Sequence, residues 1–383
     1  MRLYLASLLF ALGACSLVID KNETQCVTDA DCVSFGNHPT CSAGVCVESG
    51  LGPPGCFFGT PSAQEDFANQ CTTSTTLQYD NCANAGLCDQ AALDSAIDAT
   101  ATPTQSVATS TVNNETMPTV NCADLGNVIY ITGSTNLPPL LKAVQPLLYK
   151  DSIPYIAVFA PQTSCKGAAS VYDLSATKHL ILNVTNNWAF YYDQNNVQQF
   201  CLLDASGNTV DVGESDVFPT SCDMTYHDMP NVAEYTGPIQ AITFVVPAGS
   251  SQKAISAEAA HLVFATGSTS PKVEPWTDST LYFTRSSGTG TTQLPSRAIN
   301  LDPTKWWGID RLSAPNLVAS MEAINPTDSE SSIGVLSNDL ADKNRANLRT
   351  LAFQQAGQKF AYLPDSSPEA FDKLNVRDGH YPI

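Results

Sequence analysis

Thr284-Arg285-Ser286-Ser287-Gly288-Thr289-Gly290-Thr291-Thr292 sets one permanent cation beside a glycine-flexible run of hydroxyls and backbone N–H groups. An extended run, Ser279-Thr280-Leu281-Tyr282-Phe283, leads into it, and the residues after it can open a helix. Amides and hydroxyls would then converge where a helix dipole favours negative charge, as an oxyanion site requires. No lysine occupies the Walker position, which argues against a nucleotide P-loop. Taken alone, the loop reads equally well as a solvated turn.

Two further segments add weight. Val128-Ile129-Tyr130-Ile131-Thr132 has the pattern of a buried strand and runs through Gly133-Ser134-Thr135-Asn136-Leu137-Pro138-Pro139 into the apolar-periodic stretch Leu140 to Tyr149. The order is strand, hydroxyl-bearing turn, helix. Val210-Asp211-Val212-Gly213-Glu214-Ser215-Asp216-Val217-Phe218 places acidic groups at the end of another short strand.

With these segments the chain resembles the phosphate-binding receptors of bacterial ABC uptake systems, within the type 2 periplasmic binding proteins. The resemblance is carried by Ile131-Thr132-Gly133-Ser134-Thr135 with Pro138-Pro139-Leu140, by Gln162-Thr163-Ser164-Cys165-Lys166-Gly167, by Gly213-Glu214-Ser215-Asp216 and by Arg285 to Thr292, in the family's order over Asn127 to the C-terminus. It implies an α/β fold of two lobes, with an anion gripped by Thr135, Ser164, Asp216, Arg285, Thr289, Gly290 and Thr291. A carboxylate facing an anion makes sense if the anion carries a proton to donate and if Arg285 neutralises Asp216. The chain departs from the family pattern at Thr163, Cys165 and Lys166, where glycines are usual, at Asn136 and Leu137, where an aromatic often stands, and at Thr289, which replaces a serine. Contact with the anion is open among Ser134, Thr135 and Asn136, and Lys166 either adds charge or points to solvent.

The N-terminus indicates a place of action. Met1-Arg2 precedes an apolar run, Leu3 to Leu12, too short to span a bilayer and suited to a secretory signal. Leu12-Gly13-Ala14-Cys15 resembles a bacterial lipobox, which implies cleavage before Cys15 and its acylation; Ser16 favours the outer membrane of the cell envelope by analogy. Of thirteen cysteines, the twelve beyond Cys15 are an even number compatible with six disulfides in an oxidising compartment. Cys26, Cys32, Cys41, Cys46, Cys56, Cys71, Cys82 and Cys88 crowd together with no pairing deducible, and their spacing does not suit zinc.

Composition then divides the chain into a signal at 1–14, a disulfide-rich irregular module at 15–91, an Ala/Ser/Thr linker at 92–120 and a ligand domain at 121–383. By resemblance the first lobe comprises 121–235 and 331–383, and the second 236–330. Crossings are expected near Glu234 to Ile239 and near Ser331 to Val335. Ser256 to Phe264 reads as a capped helix ending near Gly267.

The formal charge of −19 argues against nucleic acid and against an anionic membrane surface as partners. It does not argue against a small oxyanion, because long-range repulsion is screened beyond about 8 Å while buried contacts act at hydrogen-bond distance. No catalytic constellation, cofactor motif or metal-ligand pattern stands out: the five histidines lie far apart, and Ser215 lacks the glycines of a nucleophile elbow. Asp302 and Asp310 read as solvated surface by default, and Trp306 and Trp307 as packing residues. The expectation is a non-enzymatic, lipid-anchored binding protein for phosphate or a similar tetrahedral oxyanion, serving an ABC permease. The alternative is a surface interaction or adhesion lipoprotein on the same scaffold with no transport role.

Overall fold

A computed structural model describes residues 24, 26–35, 40–42, 44–47, 55–57, 61–99, 106–107, 118–175, 177–182 and 184–383. The signal and lipobox expectations, Cys15 included, lie outside the described residues. The chain divides into two compact units, Met1–Thr73 and Ser74–Ile383.

The smaller unit is held by staples. Cys26–Cys41 and Cys32–Cys46 tie the 3-10 helix Asp29–Phe35 to the hairpin of Thr40–Ser42 and Val45–Val47, and Cys56–Cys71 closes a loop around the helix Gln64–Ala68. Cys26, Cys32 and Cys46 lie close enough to suggest a metal cluster, but each sulfur is in a disulfide. With so little apolar surface to bury, cross-links that restrict the unfolded chain supply the stability.

The larger unit is α/β, with two main sheets forming two lobes. In the first lobe, β1 (Val128–Gly133), β2 (Ile156–Pro161), β3 (Trp188–Tyr192), β4 (Gln198–Leu202) and β5 (Val212–Glu214) are ordered β5-β1-β2-β3-β4. The first three neighbours are parallel, as strand–helix–strand crossovers demand, and β3 and β4 close the far edge antiparallel. Crossover helices α1 (Pro138–Leu148) and α2 (Ser164–Tyr172) both begin beyond the C-terminal ends of these strands. Cys122–Cys201 pins the start of this lobe to β4.

The second lobe is built on β6 (Ile242–Pro247), all six residues buried, as expected for a strand covered on both faces. Around it lie β7 (Ala254–Ser256), helix α3 (Ala257–Thr266), β8 (Tyr282–Thr284), helix α4 (Gly290–Ala298), β9 (Ile309–Asp310), helix α5 (Ala314–Glu322), β10 (Ile333–Ser337), β11 (Leu348–Thr350), β12 (Ala352–Gln354) and β13 (Ala361–Tyr362). The main sheet runs β11-β6-β10-β8-β9, and its last neighbour is the short strand Ser106–Val107. A smaller sheet runs β7-β12-β13 to Thr76–Leu77. The helix expected after Ser256 is α3: the Ser256 hydroxyl accepts the Ala259 N–H at 3.0 Å, and Gly267 closes the helix at φ 61°. Phe264 stacks the core together, 5.8 Å from Phe244 and 4.6 Å from Trp306.

Three expected boundaries differ from this arrangement. Residues 331–383 do not return to the first lobe: β10 pairs with β6 and β8, and β11 with β6, in the second sheet. Residues 92–99 and 106–107 are not merely linker, since the helix Gln90–Ile97 buries Leu93 in the second-lobe core and Ser106–Val107 pairs with β9. The disulfide-rich region is also cut short, because Cys82–Cys88 staples the helix Asn81–Ala85 of the second lobe, whose Asn81 accepts the Ser256 hydroxyl at 2.6 Å.

These pairings predict which fragments fold. Ser74–Ile383 should melt cooperatively, whereas a fragment starting at Asn121 loses Tyr79, Ala85 and Leu93 from the core together with two edge strands. Emptying such sites costs about 2–5 kcal/mol each, against a total stability of about 5–15 kcal/mol. Near-ultraviolet circular dichroism should show native packing for the longer fragment and a broad, weak transition for the shorter. Equal melting of the two would contradict the sheet assignment.

Candidate functional site

Four loops meet where the lobes face each other. From the first lobe come the turn after β1, the N-terminus of α2 and the segment after β5; from the second comes the loop between β8 and α4. Gly133 ends β1 at φ 146°, and a Cβ there would lie 2.0 Å from the Glu214 carbonyl oxygen, so only glycine lets this turn pack against β5. Cys165–Cys222 joins the first turn of α2 to the helix Pro219–Cys222, which follows the Asp216 segment. Lys166 in that first turn is exposed, so it points to solvent and adds no charge to the site.

Asp216 is the hub. Its Oδ2 accepts the Ser134 hydroxyl in a short hydrogen bond, the Asn136 amide at 3.1 Å and the Ser164 hydroxyl at 3.3 Å. Burial lifts this carboxyl above its usual range, while those three donors and the charge of Arg285 pull it back down. The Ser164 hydroxyl also accepts the Gly290 N–H at 3.0 Å, and the Cys165 N–H donates to the Gly288 carbonyl at 3.0 Å, joining α2 of one lobe to α4 of the other.

Arg285, 2 % exposed, follows β8. Its Nη2 donates to the Leu312 carbonyl at 3.2 Å and to the Thr135 hydroxyl at 3.4 Å, the latter across the lobes. Burial works against the guanidinium charge, and Asp310 first and Asp216 second support it. Asp310, 4 % exposed, accepts the Leu312 N–H at 2.8 Å and thereby shapes the turn whose carbonyl holds Arg285. A guanidinium at this depth stays charged and keeps its planar fork of donors in one orientation.

Of the residues expected at the site, Thr135, Ser164, Asp216, Arg285 and Gly290 are joined by these contacts. Thr289 is turned inward: its hydroxyl donates to the Ser286 carbonyl at 2.8 Å and shares a contact with Thr292. Thr291 is buried in the first turn of α4. Three participants were not foreseen in these roles. Ser134 and Asn136 hold Asp216, and Asp310 is buried beside Arg285 rather than solvated; Asp310 carries no local signal, because its partner lies on another strand.

Gly290 packs directly against the first lobe. A Cβ at this position would lie 2.6 Å from Asp216 Cβ and 3.2 Å from Ser164 Oγ. Gly290→Ala must therefore displace Asp216 or push α4 away, an overpacking cost of about 1–3 kcal/mol. Urea unfolding should show a lower midpoint for this variant; an unchanged midpoint would mean that the lobes do not touch here in solution.

No protein-family profile matches the sequence, and no curated protein is similar to it. Among solved structures, the chain is similar to a candidate phosphate ABC transporter substrate-binding protein with bound phosphate from Clostridium perfringens, at 11% identity and a TM-score of 0.36 over 67% of this chain and 83% of that one. A candidate phosphate-binding protein from Planctomyces limnophilus matches at 12% identity and a TM-score of 0.35, over 67% and 78% of the two chains. PstS from Borrelia burgdorferi matches at 12% and 0.30, over 67% and 83%.

Proposed function

We propose that this protein is a lipid-anchored substrate-binding protein of the cell envelope that captures phosphate, or a similar tetrahedral oxyanion, between its two lobes and presents it to an ABC permease. The observation that carries this reading is the convergence of one buried guanidinium, several hydroxyl and amide donors and the Asp216 carboxylate at a junction between lobes. A monohydrogen phosphate seated there would take hydrogen bonds from Thr135, Ser164, the Gly290 N–H and Arg285, and would donate a hydrogen bond from its own O–H to Asp216. Hydrogen bonds to an ionised group contribute about 1.5–3 kcal/mol each, enough for tight binding without a second cation. Residues 223–241 carry neither helix nor strand and expose Tyr235 and Ile239, which suits a crossing that bends as the lobes part. Cys15 would supply the anchor.

The direct Gly290-to-Ser164 hydrogen bond favours a second reading, in which the donors are satisfied within the chain and the protein is a surface interaction lipoprotein. Thermal melting separates the two. Phosphate at about 100 times its dissociation constant should add about 2.7 kcal/mol of stability to the capturing protein. No shift in Tm at millimolar phosphate would favour the second reading. Cys15→Ala should move the full chain from the membrane fraction to the soluble one, and continued membrane association of the variant would contradict the anchor.

A further inference from the structure

Ser164 and Asp216 meet at the site from different stretches of the chain: Ser164 opens α2, and Asp216 follows β5. The bonds between them are long. The Ser164 hydroxyl lies 3.3 Å from Asp216 Oδ2 and 3.4 Å from the Asp216 backbone nitrogen, beyond the usual range for strong hydrogen bonds. On one side, glycine packing seats α2 on β5, since a Cβ on Gly213 would lie 2.2 Å from the Gly167 carbonyl oxygen. That contact sits one helical turn beyond Ser164 and ahead of Asp216 on β5. On the other side the link is covalent: Cys165, next to Ser164, is bonded to Cys222, whose short helix Pro219–Cys222 directly follows the Asp216 segment.

The same cysteine also faces the second lobe. Its N–H donates to the Gly288 carbonyl at 3.0 Å, beside the Ser164 hydroxyl that accepts the Gly290 N–H at 3.0 Å. Beyond Cys222 the chain carries neither helix nor strand until β6, so this disulfide is the last cross-link between the Asp216 segment and α2. Cys165 stands where the resemblance leads one to expect a glycine, a residue that could not supply such a link. We infer that Cys165–Cys222 is a positioning element of the site: it holds the Ser164 hydroxyl and the Cys165 N–H where Asp216 and the loop before α4 meet them, and without it a folded protein grips its ligand less tightly. This rests on the oxyanion-binding reading of the same site.

The lobe contains its own control. Cys122–Cys201 spans 79 residues against 57 for Cys165–Cys222, so the two restrict the unfolded chain to a similar extent, but Cys201 lies on β4, at the opposite edge of the sheet from β5. The test compares wild type with Cys165→Ala/Cys222→Ala and with Cys122→Ala/Cys201→Ala, each as the full chain with its other disulfides intact. Titrations run below the Tm of every protein. Phosphate affinity should fall by about tenfold to a hundredfold in the first variant, as when one hydrogen bond to an ionised ligand is lost, and stay within about twofold of wild type in the second, although both lose Tm. Without phosphate, amide hydrogen exchange at position 165 and at Gly290 should quicken in the first variant only. Unchanged affinity in the first variant, or equal losses in both, would overturn the positioning role. Cys82→Ala/Cys88→Ala replaces the control if that variant does not fold, because this pair is exposed. Cys165→Ser/Cys222→Ser likewise replaces the first variant, and failure of both site pairs to fold while a control folds would reduce the disulfide to a structural staple. If wild type does not bind phosphate, the oxyanion reading fails, and the exchange rates alone decide whether the disulfide holds the junction, with unchanged rates overturning it.

Discussion

Arg285→Ala should bring phosphate binding below detection and lower stability by about 3–5 kcal/mol, the range expected when one partner of a buried charged set is removed. Arg285 is 2 % exposed, and two carboxylates, Asp310 and Asp216, one from each lobe, support its charge. Without it, both acids lose its charge, and the Leu312 carbonyl and Thr135 hydroxyl lose their shared donor. Arg285→Lys should restore part of the stability but little of the binding, because an ammonium replaces the charge and not the fixed fork. Urea unfolding and equilibrium dialysis with labelled phosphate would measure the two effects separately. An alanine variant with wild-type affinity would remove Arg285 from the site.

The second large effect concerns selectivity. Asp216 already accepts three donors through Oδ2, and an ionised carboxylate can accept a proton-bearing oxygen but has nothing to give a bare one. Monohydrogen phosphate carries that proton and sulfate does not, so sulfate would leave two like charges in contact. Sites built on a required hydrogen bond discriminate by about 10⁴ or more. Wild-type protein should therefore prefer phosphate over sulfate by that order. Asp216→Asn should shrink the gap by a hundredfold or so, since the amide donates to sulfate and the lost pair costs about 3 kcal/mol or less. Competition titrations at fixed ionic strength would read both numbers, and equal wild-type affinities for the two anions would refute the role of Asp216.

The parts of this architecture that were legible in the sequence are those in which neighbouring residues act on one another. Val128 to Thr132 shows as a strand, Leu140 to Tyr149 as a periodic stretch that proves to be the helix Pro138–Leu148, and Ser256 with Gly267 bracket α3, because periodicity, caps and left-handed glycines are local devices. What escaped depends on partners far along the chain. The run Ile333–Ser337 is buried throughout and could enter either sheet on its pattern alone; its pairing with Ile242–Pro247 decides the matter, and the resemblance pointed the other way. Ser106–Val107 is two residues long within an Ala/Thr-rich stretch, so composition hides it. At the site, the cation and its hydroxyl-rich loop were visible as a cluster. Asp310 was not, since what makes it matter is burial beside an arginine contributed by a neighbouring strand.

The most direct measurement is an isothermal titration of the disulfide-intact Ser74–Ile383 fragment with phosphate near neutral pH. The proposed site predicts a saturable isotherm with one phosphate per chain, retained when the smaller disulfide-bonded unit is absent and lost in Arg285→Ala. A folded wild-type fragment that releases no heat with phosphate, and whose Tm does not move in its presence, would contradict the claim that the junction between the lobes is an oxyanion site.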